Sequence, residues 1–459
     1  MPSSTPFRDR RSRAASRLRV RERAGSLLRT AAVAAVAVVV AVSATATGAP
    51  DESRTGGRTP GTGPGGARWV DTWASMPQLT EPHNMPPAPF TDGESVLDDS
   101  TLRQTIRTTV AGDKVRLRFS NAFGGAELPL TRVFVALPAG GAAGVPGIEP
   151  GTSRQVTFGG RTSTVVPMGA QTVSDPVDMK VPAGTNLTVT VYLADGQASS
   201  SVTSHPGSRT SSHLVKGDHT TDADLPGATR TDHWYFLSGA ETWTDEPRAA
   251  GLVVIGDSLS DGRGSTTNGN DRWPDQLHQR LLRSPATDDV AVLNEAAGGN
   301  RVLHDGLGPN VLARLDRDLL ARTGVKWALV FEGVNDLGTA EATEAAQRAT
   351  ADALIAAYRQ IVERAHAKGI AVYGATLTPI GGNEMYDDPA GHRERARQRV
   401  NDWIRHSGVF DAVVDLDRAV RDPQAPTKLL PAYDTGDHLH LNPTGYKAMA
   451  DAVPTRLLR

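Results

Sequence analysis

From residue 250 onward, short uninterrupted apolar runs alternate with stretches of helical period, and few folds satisfy that pattern. The runs are Gly251 to Ile255, Val290 to Leu293, Trp327 to Phe331, Ile370 to Ala375 and Ala412 to Asp415. They are short and lack the polar alternation of a half-exposed strand, so each reads as a strand covered on both faces. The stretch Glu341 to Lys368 carries Leu354, Tyr358, Ile361, Val362 and Ala365 at spacings of three and four, the stripe of a helix packed on a core, and Gly369 ends it. Strand and helix in alternation predict a parallel sheet with helices on both sides over residues 248–459. Ligands of such sheets bind at the carboxyl ends of the strands.

Residues 68–247 read differently. Arg103 to Val110 and Lys114 to Phe119 alternate polar with apolar or β-branched residues around Ala111-Gly112-Asp113, which predicts a hairpin. Further strand candidates are Thr131 to Ala136, Gln155 to Phe158, Ser163 to Val166, Asn186 to Leu193 and His233 to Leu237, punctuated by Gly and Pro. No amphipathic helix stands out, so an antiparallel β-sandwich is expected. The connection through residues 238–250 is too short for an independent tether, and the β-rich domain is therefore expected to help shape any pocket.

The first thirty residues hold nine Arg, followed by the apolar stretch Ala31 to Val42 and the small residues Ala44-Thr45-Ala46. This order describes a secretory signal peptide over 1–46, and the stretch is short for a membrane span, so a secreted protein is expected rather than an anchored one. Arg10-Arg11 lacks the strong apolar pair a twin-arginine signal needs. Residues 47–67, rich in Gly, Pro, Thr and Ser, read as a linker. Cleavage after Ala46 removes the nine Arg with Asp9 and Glu22, taking the formal net charge from −2 to −9. An acidic mature chain argues against sequence-independent nucleic-acid binding.

The absence of cysteine excludes disulfides, thiolate metal sites and a Cys nucleophile. No spacing of Asp, Glu or His specifies a metal, and Gly262-Arg263-Gly264 lacks the remaining glycine of a dinucleotide fingerprint, so neither metal nor cofactor is expected. Nucleophilic chemistry would fall to a hydroxyl, which needs a base to take its proton. Ser258, in Gly256-Asp257-Ser258-Leu259-Ser260 just after an apolar run, sits where Gly256 permits a sharp turn at the sheet edge; Asp257, Ser258 and Ser260 also suit the capping of a helix. Near the C-terminus, Asp437 precedes His440 by three residues, close enough to accept the imidazole Nδ1 hydrogen bond and fix the tautomer. His438 and Asp434 are rivals by proximity.

Two more blocks, Asn294-Glu295-Ala296-Ala297-Gly298-Gly299-Asn300 and Gly333-Val334-Asn335-Asp336, each follow an apolar run. Taken in order, the four blocks resemble those of the SGNH hydrolases, also called the GDSL esterase and lipase family, from about residue 250 to the end. The resemblance implies a three-layer α/β/α, flavodoxin-like C-terminal domain. It also implies Ser258 as nucleophile, His440 as base and Asp437 as its orienting partner, selected over His438 and Asp434 by the Pro that follows and opens the last helix. For the oxyanion it implies the Ser258 N–H, the Gly299 N–H and the Asn335 amide. Gly298 stays open beside Gly299, and Asp336 reads as a helix cap.

The implied activity is that of a serine ester hydrolase of carboxylesterase or lipase type working through an acyl-serine. The resemblance does not choose the ester; the open Gly-bearing loops without a long apolar lid point to short to medium acyl chains, and export is expected from the signal peptide. Three alternatives compete: a carbohydrate O-deacetylase, acyl transfer to an acceptor other than water, and an idle hydrolase fold carrying a glycan- or surface-binding module. His304, Arg301 and Tyr386 lie in loops that could line the pocket. Trp69, Trp73, Trp234 and Trp243 could stack on sugar, although core packing is the commoner use of such residues.

Overall fold

The computed structural model describes residues 66–459. The expected signal peptide (1–46), and all but the last two residues of the expected linker (47–67), lie outside that range. No helix among the described residues is long and apolar enough to cross a membrane.

Five parallel strands form the sheet of the C-terminal half, in the spatial order Val290–Asn294, Ala250–Gly256, Val325–Phe331, Ala371–Ala375 and Ala412–Val414. Strand periodicity sends alternate side chains to opposite faces. Val253 and Ile255 pack on one side with Leu354, Tyr358, Ile361 and Ala365 of the helix Glu344–His366. Leu252 and Val254 pack on the other with Leu277 of Trp273–Leu281 and Tyr446 and Met449 of Pro443–Ala452. The result is a three-layer α/β/α domain. Its second strand in sequence lies on one side of Ala250–Gly256 and its third on the other, so the chain reverses direction across the sheet there. That reversal opens a crevice at the carboxyl end of Ala250–Gly256.

The N-terminal half is built from antiparallel sheets. Arg68–Ala74, Leu237–Thr244, Gly112–Ser120 and Val177–Val181 form one, joined by Gln171–Val173. Thr229–Thr231, Ser212–Lys216, Ser100–Arg107, Asn186–Leu193, Arg132–Ala136 and Arg154–Val156 form another. Leu102, Ile106, Val189 and Val191 of the second sheet and Val115, Leu117 and Phe119 of the first share one apolar core.

The predicted hairpin is not formed. Ser100–Arg107 and Gly112–Ser120 belong to opposite sheets, because the intervening residues are held by a third strand: Thr72 Oγ1 accepts the N–H of both Thr109 and Val110 at 2.9 Å. Leu237–Thr244, which the sequence reading takes for a connection, is a central strand. Its buried Glu241 pairs with Arg116 and Arg118 on the neighbouring strand, so a charge that reads as exposed is neutralised inside the protein.

The two halves share a buried interface. Val70, Ala74 and Val110 join the apolar cluster of Val253 and Leu293, and Thr109 Oγ1 accepts the Val292 N–H on the edge strand at 3.2 Å. Nearby, Arg322 pairs with Glu295 and reaches the Ser238 carbonyl at 3.3 Å, while Asp71 accepts the Thr323 N–H at 2.7 Å. Burial pushes Asp71 up to about 6 and raises Glu295, against the attraction of Arg322 in both cases. Removing that guanidinium takes from both buried carboxyl groups the cation that does most to favour their charged forms. Arg322→Met is therefore expected to cost about 3–5 kcal/mol, read as a clear drop in the thermal unfolding midpoint; an unchanged midpoint would contradict the assignment.

Candidate active site

Strand Ala250–Gly256 ends at Asp257, whose carboxylate accepts the Leu259 N–H at 2.9 Å and so caps the short helix Ser258–Asp261. With the cap supplied by Asp257, the Ser258 hydroxyl faces outward and donates to His440 Nε2 at 2.8 Å. His440 Nδ1 donates in turn to Asp437 Oδ2 at 2.6 Å. The three-residue spacing closes a tight turn in which Asp437 Oδ1 also accepts the backbone N–H of His440 at 2.8 Å and of Leu439 at 3.1 Å. Burial opposes the Asp437 charge, but these bonds and the imidazole hold its carboxyl far below the usual carboxylate range. Burial also lowers the His440 pKa from its ordinary 6.5, overcoming the bond and charge of Asp437. The rival pair stands apart: His438 turns to Asp434 at 2.6 Å. Ser260 caps nothing; its buried Oγ accepts the Trp273 indole N–H at 3.0 Å.

Around Ser258 Oγ the chain places hydrogen-bond donors. Among the described residues the N–H groups of Ser258 and Gly299 have no intramolecular acceptor, whereas the Gly298 N–H is taken by Asp261 Oδ2 at 3.0 Å. Only one of the two adjacent glycines is thus free to donate. Gly299 has φ +71°, and a Cβ there would come within 2.5 Å of Leu307, so no other residue fits without rearrangement. Asn335, at the start of the helix Val334–Thr339, spends one amide hydrogen on the Asn300 carbonyl at 2.8 Å. Its Oδ1 accepts the Tyr386 hydroxyl at 2.8 Å, which fixes the amide orientation and leaves the second N–H for the cleft.

The relay of Ser258, His440 and Asp437, with Gly299 and Asn335 lining the same cleft, is an arrangement that suits acyl transfer. Residues 254–448 match the family model described as the GDSL-like lipase/acylhydrolase family. This part of the chain is a GDSL-like acylhydrolase domain. Similar solved structures include a lipolytic protein of the G-D-S-L family from Desulfitobacterium hafniense, at 18% identity over 44% of this chain and 97% of that one, with a TM-score of 0.33. A GDSL-like lipase from Bacteroides thetaiotaomicron is 17% identical over 46% and 88%, TM-score 0.34. An acetylxylan esterase from Geobacillus stearothermophilus is 21% identical over 46% and 96%, TM-score 0.34. No curated protein matches the chain.

The donors of this GDSL-like domain rest on groups that no local sequence signal announces. Asp336 does not cap its helix; its carboxylate accepts the Val302 and Leu303 N–H groups at 2.9 Å, binding the loop after Gly299 to the helix that carries Asn335. Asp261, one turn beyond Ser258, holds Gly298 with one oxygen and accepts from His205 Nε2 at 2.9 Å with the other. His205 comes from the β-rich half and donates by Nδ1 to the Met76 carbonyl, also at 2.9 Å. A Cβ on Gly207 would fall 1.7 Å from Asp261 Oδ2, so this close approach of the two halves requires glycine.

Ser258 and His440 open into a cleft of about 890 Å³ with walls from both halves: Gln78, His83, Asn84 and Arg209 on one side, Leu307, Tyr386 and Leu439 on the other. Arg301 turns instead to Thr339 and the Asp305 carbonyl, and His304 is exposed and lines no part of it. The four Trp candidates also lie elsewhere. Trp73 and Trp234 pack edge to face inside the core, while Trp69 and Trp243 pair under Arg116. Among the described residues no group of His, Asp and Glu is placed to hold a metal ion.

The Ser258–His440 bond gives a substrate-independent test. Phenylmethanesulfonyl fluoride should modify Ser258 alone, detected by peptide mass. Because a neutral imidazole is needed to take the proton and burial lowers the His440 pKa, the rate should hold as pH falls to 6.5 and decline only below it. A rate already halved well above 6.5, or label on another serine, would contradict the geometry.

Proposed function

We propose that the chain is an exported serine ester hydrolase that cleaves carboxylic esters of short to medium acyl length through an acyl-serine intermediate. The observation that carries this reading is the continuous hydrogen-bond relay from Ser258 Oγ through His440 to Asp437 beside the open Gly299 N–H and Asn335 amide. Ser258 Oγ attacks the ester carbonyl as its proton passes to His440 Nε2. The carbonyl oxygen becomes negative and is met by the N–H groups of Ser258, Gly299 and Asn335. The intermediate collapses, the C–O bond breaks, and the alcohol leaves with the proton from His440. Water then attacks the acyl-serine with His440 again as base, releasing the acid and restoring the serine. Asp437 stays ionised throughout and stabilises the imidazolium.

Export rests on the basic, apolar and small-residue order of the first 46 residues. The preference for shorter acyl chains rests on the cleft walls, where polar side chains from the β-rich half interrupt the apolar surface a long chain would need. The same wall favours one second reading, a carbohydrate O-deacetylase, since Gln78, His83 and Asn84 offer hydrogen bonds to hydroxyl groups.

Hydrolysis of p-nitrophenyl esters from acetate to palmitate by the mature protein, beside Ser258→Ala, tests the reading. Ser258-dependent turnover that peaks at short or medium chains is expected, and comparable turnover by a clean Ser258→Ala preparation would overturn it. Release of acetate from acetylated xylan with little release of longer acids would select the deacetylase. Asn335→Ala should lower kcat by about 10²–10³-fold with KM little changed, because its donor serves the developing charge. Tyr386→Phe keeps the ring and frees the Asn335 amide, so kcat should fall by about fivefold, the worth of one neutral hydrogen bond; a fall confined to KM would contradict a role in orienting Asn335.

A further inference from the structure

Two guanidinium groups in the cleft have no role in the relay. Arg209 and Arg263 line the same cavity as Ser258 and His440, and among the described residues neither side chain makes a hydrogen bond or ion pair, with Arg209 Nε buried and unpartnered. Most other charged groups of the lining are answered within the protein. Asp437 holds His440, Asp261 holds His205, and His438 holds Asp434. Glu81 accepts only from the neutral amides of Gln78 at 2.6 Å and Asn84 at 3.0 Å and keeps its charge. Among the described residues, Glu81 and the exposed Glu384 are thus the two carboxylates of the lining that neither pair with a cation nor reach either arginine.

Both arginines are held at the backbone. Arg209 sits at φ +50°, a conformation that costs a non-glycine residue and tends to persist where function requires it; its carbonyl accepts the Asn268 N–H at 2.9 Å from the opposite half. Arg263 donates its N–H to the Ser258 carbonyl at 2.9 Å, and its own carbonyl accepts the Tyr446 hydroxyl at 2.5 Å. One arginine thus comes from each half of the chain, and both lie close enough to His440 for their charges to lower its pKa. Arg209, partly buried and without a partner, is costly unless a ligand supplies the counter-charge, Arg263 is exposed at the same cleft, and the planar guanidinium of each suits the two oxygens of a carboxylate or phosphate.

We propose that the ester this protein cleaves carries an acid group close to the scissile bond, and that Arg209 and Arg263 bind that group. The inference rests on the ester-hydrolase reading and adds a substrate class to it. The acid stands on either the acyl or the alcohol side of the ester, and two matched pairs of substrates separate these. Mono-p-nitrophenyl succinate against p-nitrophenyl butyrate places the charge on the acyl side. An O-acetylated galacturonic acid oligosaccharide against its methyl-esterified form places it on the alcohol side.

In at least one pair the charged member should have the higher kcat/KM, by about tenfold or more, carried mainly by KM and shrinking as salt rises. In Arg209→Met and Arg263→Met the ratio of charged to neutral kcat/KM should collapse toward one. Equal kcat/KM within both pairs for the unaltered protein, which needs no variant to fold, would overturn the inference, as would a ratio that survives both substitutions. Absence of Ser258-dependent hydrolysis on every substrate, p-nitrophenyl acetate included, would remove the hydrolase reading and this inference with it. Turnover of p-nitrophenyl acetate without charge preference would remove the inference alone.

Discussion

Much of this site hangs on the carboxylate of Asp261. It is buried one helical turn from Ser258; one of its oxygens fixes the N–H of Gly298, beside the donor Gly299, and the other binds His205 from the β-rich half. Burial works against a charge on His205, yet Asp261 and the Met76 carbonyl raise its pKa above the ordinary value. A buried hydrogen-bonded pair thereby ties together the helix that begins at Ser258, the loop that carries Gly298 and Gly299, and the β-rich half of the chain. Oxyanion stabilisation depends on donors fixed before the charge develops. Through His205, and through the cleft wall that carries Gln78, His83, Asn84 and Arg209, the β-rich half is a structural member of the site.

A second constraint lies beneath the donors. Asp257, Glu332 and Asp336 are all buried at the strand ends below Ser258 and Asn335, where three negative charges would oppose an oxyanion. Burial pushes Asp257 up to about 7 and raises Glu332 and Asp336 above their ordinary values. Each carboxyl that takes a proton there removes a charge from under the reacting oxygen. The low-lying exception is Asp437, on the far side of His440, where a fixed negative charge steadies the imidazolium instead. Burial thus raises three carboxyl groups at the strand ends, while hydrogen bonding lowers the fourth, Asp437.

The parallel sheet and its helix stripe were legible because both faces of the sheet are covered, so the apolar pattern is uninterrupted. That Ser258 and Asn335 lie at one edge was also readable, since each stands just past a strand, whereas Asp437 and His440 were joined to them only by the resemblance of the four blocks to a known family. What escaped the reading shares a physical cause: the partner is remote. The choice between Gly298 and Gly299 as donor turns on Asp261, which occupies the N–H of Gly298 from outside that block. Tyr386 reads as a loop residue that could line the pocket, but nothing near it points to Asn335 as its partner, and nothing in the sequence around His205 points to a carboxylate in the other half. The false hairpin at Ala111-Gly112-Asp113 has the same origin, because Thr72, far back in the chain, bonds the turn and diverts the two strands into different sheets.

The central claim is that the relay of Ser258, His440 and Asp437 produces a covalent acyl-serine. Rapid mixing of excess p-nitrophenyl acetate with the mature protein, followed by acid quench and peptide mass analysis, tests it most directly. The account predicts a burst of p-nitrophenol approaching one equivalent per active site whenever deacylation is the slower step, with one acetyl group on the peptide containing Ser258. Steady turnover with the acetyl group on another residue, or with none trapped while a burst is present, would contradict it.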